Sequence, residues 1–171
     1  RLYVPRSLFD DVVDGLSEVM DRQVVGDGLK DGVTMGPLTT ARQKGVVSAM
    51  LAEAEAAGAD IRYLGKVDGE GDFEAGYFLR PSLVVNADPD LSVVRDEQFG
   101  PTLPVIPYDS EDEAIAMANA TDYGLSSSVW SADEPRAVAL AERLEAGFTN
   151  INSHGPTAMD GLSPFGLSLI H

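Results

Sequence analysis

Residues 103–151 decide the fold, and they read LPVIPYDSEDEAIAMANATDYGLSSSVWSADEPRAVALAERLEAGFTNI. Within them, apolar runs typical of strands alternate with helical patterns that open on the capping residues Ser110 and Asp133. The order is strand, helix, strand, helix, strand, and crossovers of this length join parallel strands with right-handed connections. Because Pro104 and Pro107 lie in the first of these strands, we expect it at an edge or at a bulge. The stretch therefore predicts an α/β fold with a parallel sheet.

The sequence pattern also predicts where each element begins and ends. In this second half we expect strands at 103–108, 126–130 and 148–151, with helices from 110 to about 119 and from 133 to 144. In the first half we expect helices at 7–20 and 40–57, strands at 61–64 and 77–85, and an exposed acidic turn at 66–76.

The two helices of the first half carry recognisable ends and faces. Ser7 is placed to cap the first helix, and Thr40 with Gln43 forms a capping box at the start of the second, which Gly58 ends. The first helix has an apolar stripe that should face the core, formed by Phe9, Val12, Leu16 and Val19.

Composition narrows the function classes. The chain has 171 residues, 12 Lys and Arg against 28 Asp and Glu, a net charge of −16 and 44% hydrophobic residues. This favours one folded domain, or a piece of one, and disfavours disorder and membrane-spanning segments. The acidic balance argues against nucleic acid and anionic membrane surfaces as partners. With no cysteine there is no disulfide or thiolate, and with no visible signal peptide we expect a cytoplasmic protein.

Several motifs are incomplete. The glycines of 26–32 miss the spacing of a dinucleotide fingerprint, and the acidic residues of 68–72 lack the glycine that a calcium loop needs. Residues 161–165 lack the last glycine of a nucleophile elbow. His154 could act as a base for Ser153 or Ser163, but nothing in the sequence orients it. We therefore predict no metal site and no catalytic triad.

The segment Arg95-Asp-Glu97-Gln-Phe99-Gly-Pro101 precedes the first strand of the deciding stretch. Taken by itself, Glu97 is a surface charge and Phe99 a core residue, while the Gly-Pro pair redirects the chain.

This segment belongs to five blocks that resemble, in collinear order, the aldehyde dehydrogenase superfamily. They are GPLTTARQKGVV from Gly36, GYFLRPSLVVNADPD from Gly76, VRDEQFGPTLPVIPYDSEDEAIAMANATDYGLSSSVWS from Val94, LEAGFTNIN from Leu144 and SPFG from Ser163. The resemblance implies that residues 1–166 are part of a parallel-sheet catalytic domain.

The resemblance also implies a cofactor site for NAD or NADP. Glu97 matches the glutamate whose carboxylate accepts hydrogen bonds from the nicotinamide-ribose hydroxyls, which suits a group able to accept two bonds at once. Phe99 matches the aromatic residue that packs beside the nicotinamide and limits its movement.

A second set of matched residues would form the substrate pocket. Asn152 matches the asparagine at the end of a catalytic-domain strand, and Phe165 matches an aromatic wall of the aldehyde pocket. The loop that holds His154 and Met159 would line the substrate mouth, and the alternative is a plain surface loop.

The implied function is oxidation of an aldehyde to a carboxylate through a cysteine thioester, by a homodimer or homotetramer. The nucleophilic cysteine and the general-base glutamate are expected upstream of residue 1, so the chain alone should be inactive. Residues 167–171, LSLIH, leave the family pattern and match the translation of a transposon sequencing adapter, which predicts a non-native tail. The alternative is a stand-alone, non-catalytic α/β binding or interaction domain, which a start codon just before Arg1 would favour.

Overall fold

A computed structural model describes residues 1–155, which fall into two units, Arg1–Tyr108 and a second that begins at Asp109. The first unit opens with a strand, a 3₁₀ turn and a long helix. Its elements in chain order are β1 (Leu2–Pro5), the 3₁₀ turn (Arg6–Leu8), α1 (Phe9–Asp21), β2 (Val24–Val25), α2 (Ala41–Ala56), β3 (Asp60–Tyr63), β4 (Lys66–Val67), α3 (Glu70–Ala75), β5 (Ser82–Val85), α4 (Ser92–Arg95) and β6 (Thr102–Tyr108).

The main sheet of this unit has the strand order β1-β6-β5-β3. Strand β6 runs parallel to both of its neighbours, and β3 runs antiparallel to β5 at the edge. Strands β2 and β4 form a separate parallel pair. The predicted α/β fold with a parallel sheet is therefore confirmed.

The core lies where α1 packs on the central strands. Val4, Leu83, Val85 and Val105 come from three adjacent strands and meet Val13 of the helix. Each such side chain contributes about 1.5–3 kcal/mol to stability when it is fully buried. The hydrophobic core thus lies between the sheet and α1.

The predicted face of α1 is partly wrong. Val13 is only 1% exposed, whereas Val19 is 49% exposed and lies outside the core. The other three residues of the expected stripe do pack against the core, together with Met20. The expected Ser7 cap is also wrong, because a 3₁₀ turn precedes the helix and Leu8 occupies the N-cap without a side-chain hydrogen bond.

The expectation that its prolines place β6 at a sheet edge is also wrong, because β6 has a neighbouring strand on each side. Pro104 pairs with β5 but lies before Val105, the first residue that pairs with β1. Pro107 pairs with β1 but lies beyond the last residue that pairs with β5. At each proline, β6 is paired with only one neighbouring strand. Proline is tolerated at these positions because, as at a sheet edge, one side of the backbone is unpaired there, although β6 as a whole is a central strand.

The second helix agrees closely with its prediction. The Thr40 hydroxyl accepts a hydrogen bond from the Gln43 N–H at 3.2 Å, and Gly58 follows the helix with a φ of +84°. The expected turn at 66–76, however, holds β4 and α3. The glycines and acidic residues of this segment favour a turn, but the segment contains a two-residue strand and a six-residue helix.

The second unit contains α5 (Glu111–Asn119), β7 (Ser127–Val129), α6 (Glu134–Ala141) and β8 (Thr149–Ile151). The caps are as predicted: the Ser110 hydroxyl accepts from the Glu113 N–H, and the Asp133 carboxylate accepts from the Arg136 N–H. Strands β7 and β8 pair in parallel, while β6 belongs to the sheet of the first unit. Helix α6 ends three residues earlier than expected, because the chain tightens there into i→i+3 hydrogen bonds. Among the described residues, no helix has the length and apolar content needed to cross a membrane.

Candidate functional site

The turn from Asp96 to Pro101, between α4 and β6, carries the two predicted cofactor residues. Helix α4 ends at Arg95, and its C-cap residue Asp96 has an extended backbone with a ψ of 148°. The residues before and after the turn, Val94 and Thr102, are buried. Glu97 is exposed and the Phe99 side chain is 69% exposed. The interpretation of Phe99 as a core residue is therefore wrong, since the turn presents both side chains to solvent.

A side-chain amide spans this turn from within. Gln98 is half-buried, and its Oε1 accepts a hydrogen bond from the Gly100 N–H at 2.7 Å. Its Nε2 donates to the Thr102 carbonyl at 2.8 Å. One planar group thus binds the backbone at two points, one on the turn and one at the first residue of β6.

The rear of the turn is fixed by the sheet and by α2. The Ser82 N–H donates to the Pro101 carbonyl at 2.9 Å, and the Ser82 and Thr102 hydroxyls lie 2.9 Å apart in a buried pair. Gly100 lies against α2 so closely that an added Cβ would come within 2.7 Å of Val47 Cγ2. Only glycine permits this approach without a shift of backbone or side chain.

Of the two carboxylates on this turn, Asp96 is paired with Arg95 and Glu97 is left to bind a ligand. The Arg95 guanidinium donates through Nε and Nη2 to both oxygens of Asp96, at 3.2 and 3.3 Å. These hydrogen bonds and the carboxylate charge raise the pKa of Arg95. Within residues 1–155, no side-chain hydrogen bond involves the Glu97 carboxylate. Glu97 can therefore accept hydrogen bonds from a ligand.

The second unit places Asn152 directly after β8, as expected for a site at the carboxyl end of a parallel strand. Its backbone has a φ of +52°. Its Oδ1 accepts from the Ser131 N–H at 2.8 Å, and its Nδ2 donates to the Ser131 carbonyl at 2.9 Å. The amide therefore ties the end of β8 to the segment that follows β7.

The neighbours of Asn152 do not form a nucleophile with its base. The Ser153 hydroxyl donates to the Ile151 carbonyl at 3.3 Å, and His154 is exposed. Two of the predicted pocket residues, Met159 and Phe165, lie outside the described residues, as does the 167–171 tail.

The structure therefore brings Glu97 and Phe99 together on one turn, and Asn152 and His154 together on another. The sequence interpretation missed the residues that hold these turns, Gln98 and Ser131. A glutamine two residues before a glycine only weakly indicates such a bridge, because its side chain can bond to the backbone only after the turn has formed.

The family comparison covers nearly the whole chain. The model of the aldehyde dehydrogenase family matches residues 1–166. Geranial dehydrogenase from Castellaniella defragrans is 34% identical over 97% of this chain and 33% of its own length.

Solved structures agree with that comparison. An aldehyde dehydrogenase C variant from Pseudomonas syringae, complexed with NAD+ and octanal, superposes with a TM-score of 0.84 at 32% identity, over 96% of this chain and 33% of that one. An NADP-dependent enzyme from Escherichia coli superposes with a TM-score of 0.85 at 32% identity, over 97% and 33%. The chain spans about a third of the length of the proteins that it matches.

Proposed function

Because the chain belongs to the aldehyde dehydrogenase family, we propose that it is part of an enzyme that oxidises an aldehyde to a carboxylate with NAD+ or NADP+. The observation that carries this proposal is the pair of exposed side chains, Glu97 and Phe99, on one anchored turn. A free carboxylate accepts hydrogen bonds from two neighbouring ribose hydroxyls, and an exposed ring packs against a flat heterocycle. These residues fit the nicotinamide riboside part of either cofactor.

Each of the two residues has a separate task in this proposal. Glu97 holds the ribose through charge-assisted hydrogen bonds, and Phe99 restricts the movement of the neighbouring ring. A nicotinamide supplies hydride acceptance, while the protein supplies orientation and a dry site. A turn held by the sheet, by α2 and by Gln98 suits this work, because its backbone does not need to be ordered again at each turnover.

The residues after β8 belong to the aldehyde side of the proposed enzyme. Asn152 acts there by fixing the chain through Ser131, since both polar groups of its amide are engaged. His154, Met159 and Phe165 would line the pocket. The relatives differ in substrate by name, geranial in one and octanal bound in another, so the aldehyde itself has to be found by assay.

The proposed chemistry runs through a cysteine thioester, and the chain contains no cysteine. We place the nucleophile and the general-base glutamate in a segment that precedes residue 1 in the full-length enzyme. Residues 1–171 by themselves are then inactive.

The direct test is to recover the gene around this coding sequence and to assay its full-length product. Purified protein is given NAD+ or NADP+ with a panel that includes geranial, octanal and short semialdehydes, and reduced cofactor is followed by absorbance. We expect turnover with at least one aldehyde and a carboxylate as product. A full-length product that begins just before Arg1 and binds neither cofactor would instead favour the non-catalytic binding domain.

A further inference from the structure

The position of Gln98 is unusual for a residue between two exposed side chains. It is half-buried, and its amide uses a donor and an acceptor at once, on the Thr102 carbonyl and the Gly100 N–H. The two bonds join the tip of the turn to the start of β6. Gln98, which precedes Phe99, is thereby bonded to backbone groups that follow Phe99.

We propose that Gln98 is a positioning residue for the cofactor site, through which the turn presents the Glu97 carboxylate and the Phe99 ring in a single arrangement before the cofactor arrives. The inference rests on the proposed function, since it assigns a task within the same site. Without the amide bridge, residues 97–102 lose two of their internal hydrogen bonds. The cofactor would then have to order the turn as it binds, and conformational entropy would reduce its affinity.

The residue type matters because the bridge needs one donor and one acceptor on the same planar group. A glutamine amide provides both, whereas an ionised carboxylate only accepts and a thioether provides neither in useful strength. A protonated carboxylic acid again provides both: its O–H donates and its carbonyl accepts. This difference makes the proposal testable by pH.

The experiment compares Gln98→Glu and Gln98→Met in the full-length enzyme. Dissociation constants for NAD+ and NADP+ are measured by calorimetry from pH 4 to pH 8, a range that includes the ordinary glutamate pKa of about 4.3, and each is divided by the wild-type value at the same pH. At pH 8 we expect both variants to bind about tenfold more weakly, since one or two ordinary hydrogen bonds are lost. As the pH falls and the introduced carboxyl group takes up a proton, we expect the Gln98→Glu ratio to return toward one. The Gln98→Met ratio should stay constant.

A matched control is available in Gln23, which lies between α1 and β2. Its amide also makes two hydrogen bonds: Nε2 donates to the Val19 carbonyl at 3.3 Å, and Oε1 accepts from the Thr34 hydroxyl at 2.9 Å. We expect Gln23→Glu to leave cofactor affinity unchanged at every pH. Melting temperatures of all variants show whether each one is folded under the conditions of the assay.

The outcomes separate this inference from the function on which it rests. If the wild type binds cofactor and Glu97→Gln weakens that binding, but both Gln98 variants bind as the wild type does, the positioning role is refuted and the function stands. If Gln98→Glu is weak but is not restored at low pH, Gln98 acts only by packing and the bridge is refuted. If the wild type binds neither cofactor, the proposed function fails and the inference fails with it.

Discussion

At the scale of single residues, the Glu97 carboxylate is the most direct test of the site. Glu97→Gln keeps the shape but removes the charge, and charge-assisted hydrogen bonds contribute about 1.5–3 kcal/mol. In the full-length enzyme we expect cofactor affinity and the rate of hydride transfer to fall by about tenfold to a hundredfold. Stopped-flow measurement of reduced cofactor checks this.

The control for that variant is Glu18→Gln, which makes the same change at another exposed position, on α1. It should leave both quantities unchanged. Equal kinetics for Glu97→Gln and the wild type would return Glu97 to the status of a surface charge.

Tyr63 provides a pH-dependent prediction at the same scale. Desolvation, with the hydrogen bond to Glu55 at 2.7 Å, raises the pKa of Tyr63 to about 12 from a reference value of 10.0. A raised pKa means that folding favours the neutral phenol. This contribution to stability is complete below pH 10 and is lost as the pH rises from 10 to about 12.

The measurement is the denaturation midpoint of the wild type and of Tyr63→Phe across that range. The wild type should lose stability relative to the variant as the pH rises. In this range, unfolding of the wild type releases the Tyr63 proton, whereas the phenylalanine variant has no proton to release there. A constant difference between the two proteins would show that folding does not perturb the phenol.

Sequence patterns predicted most of the helix caps, whose cause is local, although the Ser7 cap was wrong because a 3₁₀ turn precedes α1. The Thr40, Ser110 and Asp133 caps were predicted because a cap depends on residues two or three positions away. Phe99 and Val19 were wrong because their exposure depends on what packs nearby in three dimensions. A hydrophobic side chain indicates the core on average, but a turn held by its backbone can expose one.

At the scale of elements, the turn before β6 depends on its close approach to α2. Gly100→Ala would place a Cβ 2.7 and 3.0 Å from the two methyl carbons of Val47, so a neighbour must shift. Overpacking of this kind costs about 1–3 kcal/mol. We expect the free energy of unfolding of the full-length enzyme to fall by that amount in denaturant titrations.

Gly45→Ala is the matched control, because Gly45 lies within α2 and has open space around its Cβ position. It should stabilise the helix by about 0.5–1 kcal/mol, since alanine loses less backbone entropy than glycine. Adding Val47→Ala to Gly100→Ala should relieve part of the overpacking. If the two glycine variants change stability alike, the contact with α2 does not constrain the turn.

The elements also show why a pattern of residues can identify a strand and misplace it. Pro104 and Pro107 correctly indicated positions without a neighbour on one side, but the register with β1 and β5 offsets these positions along the strand. Such an offset is a property of three strands together. No single segment of the sequence contains it.

At the scale of the whole molecule, the proposed chemistry needs a residue type that the chain does not contain. A thioester requires a thiol, and the chain has none. Among residues 1–155, Ser153 is a hydroxyl-bearing residue next to Asn152, and its hydroxyl donates a hydrogen bond to the Ile151 carbonyl. Among the described residues, the Ser153 hydroxyl has no hydrogen bond to the exposed His154, so that imidazole is not placed to act on it as a general base.

The last prediction is therefore that the 171-residue chain has no catalytic activity by itself. It is purified, checked for folding by circular dichroism, and incubated with NAD+ or NADP+ and the aldehyde panel, while the full-length enzyme serves as the positive control. We expect no reduced cofactor above the rate of a sample without protein. Residual activity that falls away on repurification belongs to a contaminant. Activity that remains in constant proportion to the chain through a second column would mean that a residue other than cysteine carries the reaction, and the thioester mechanism would have to be abandoned.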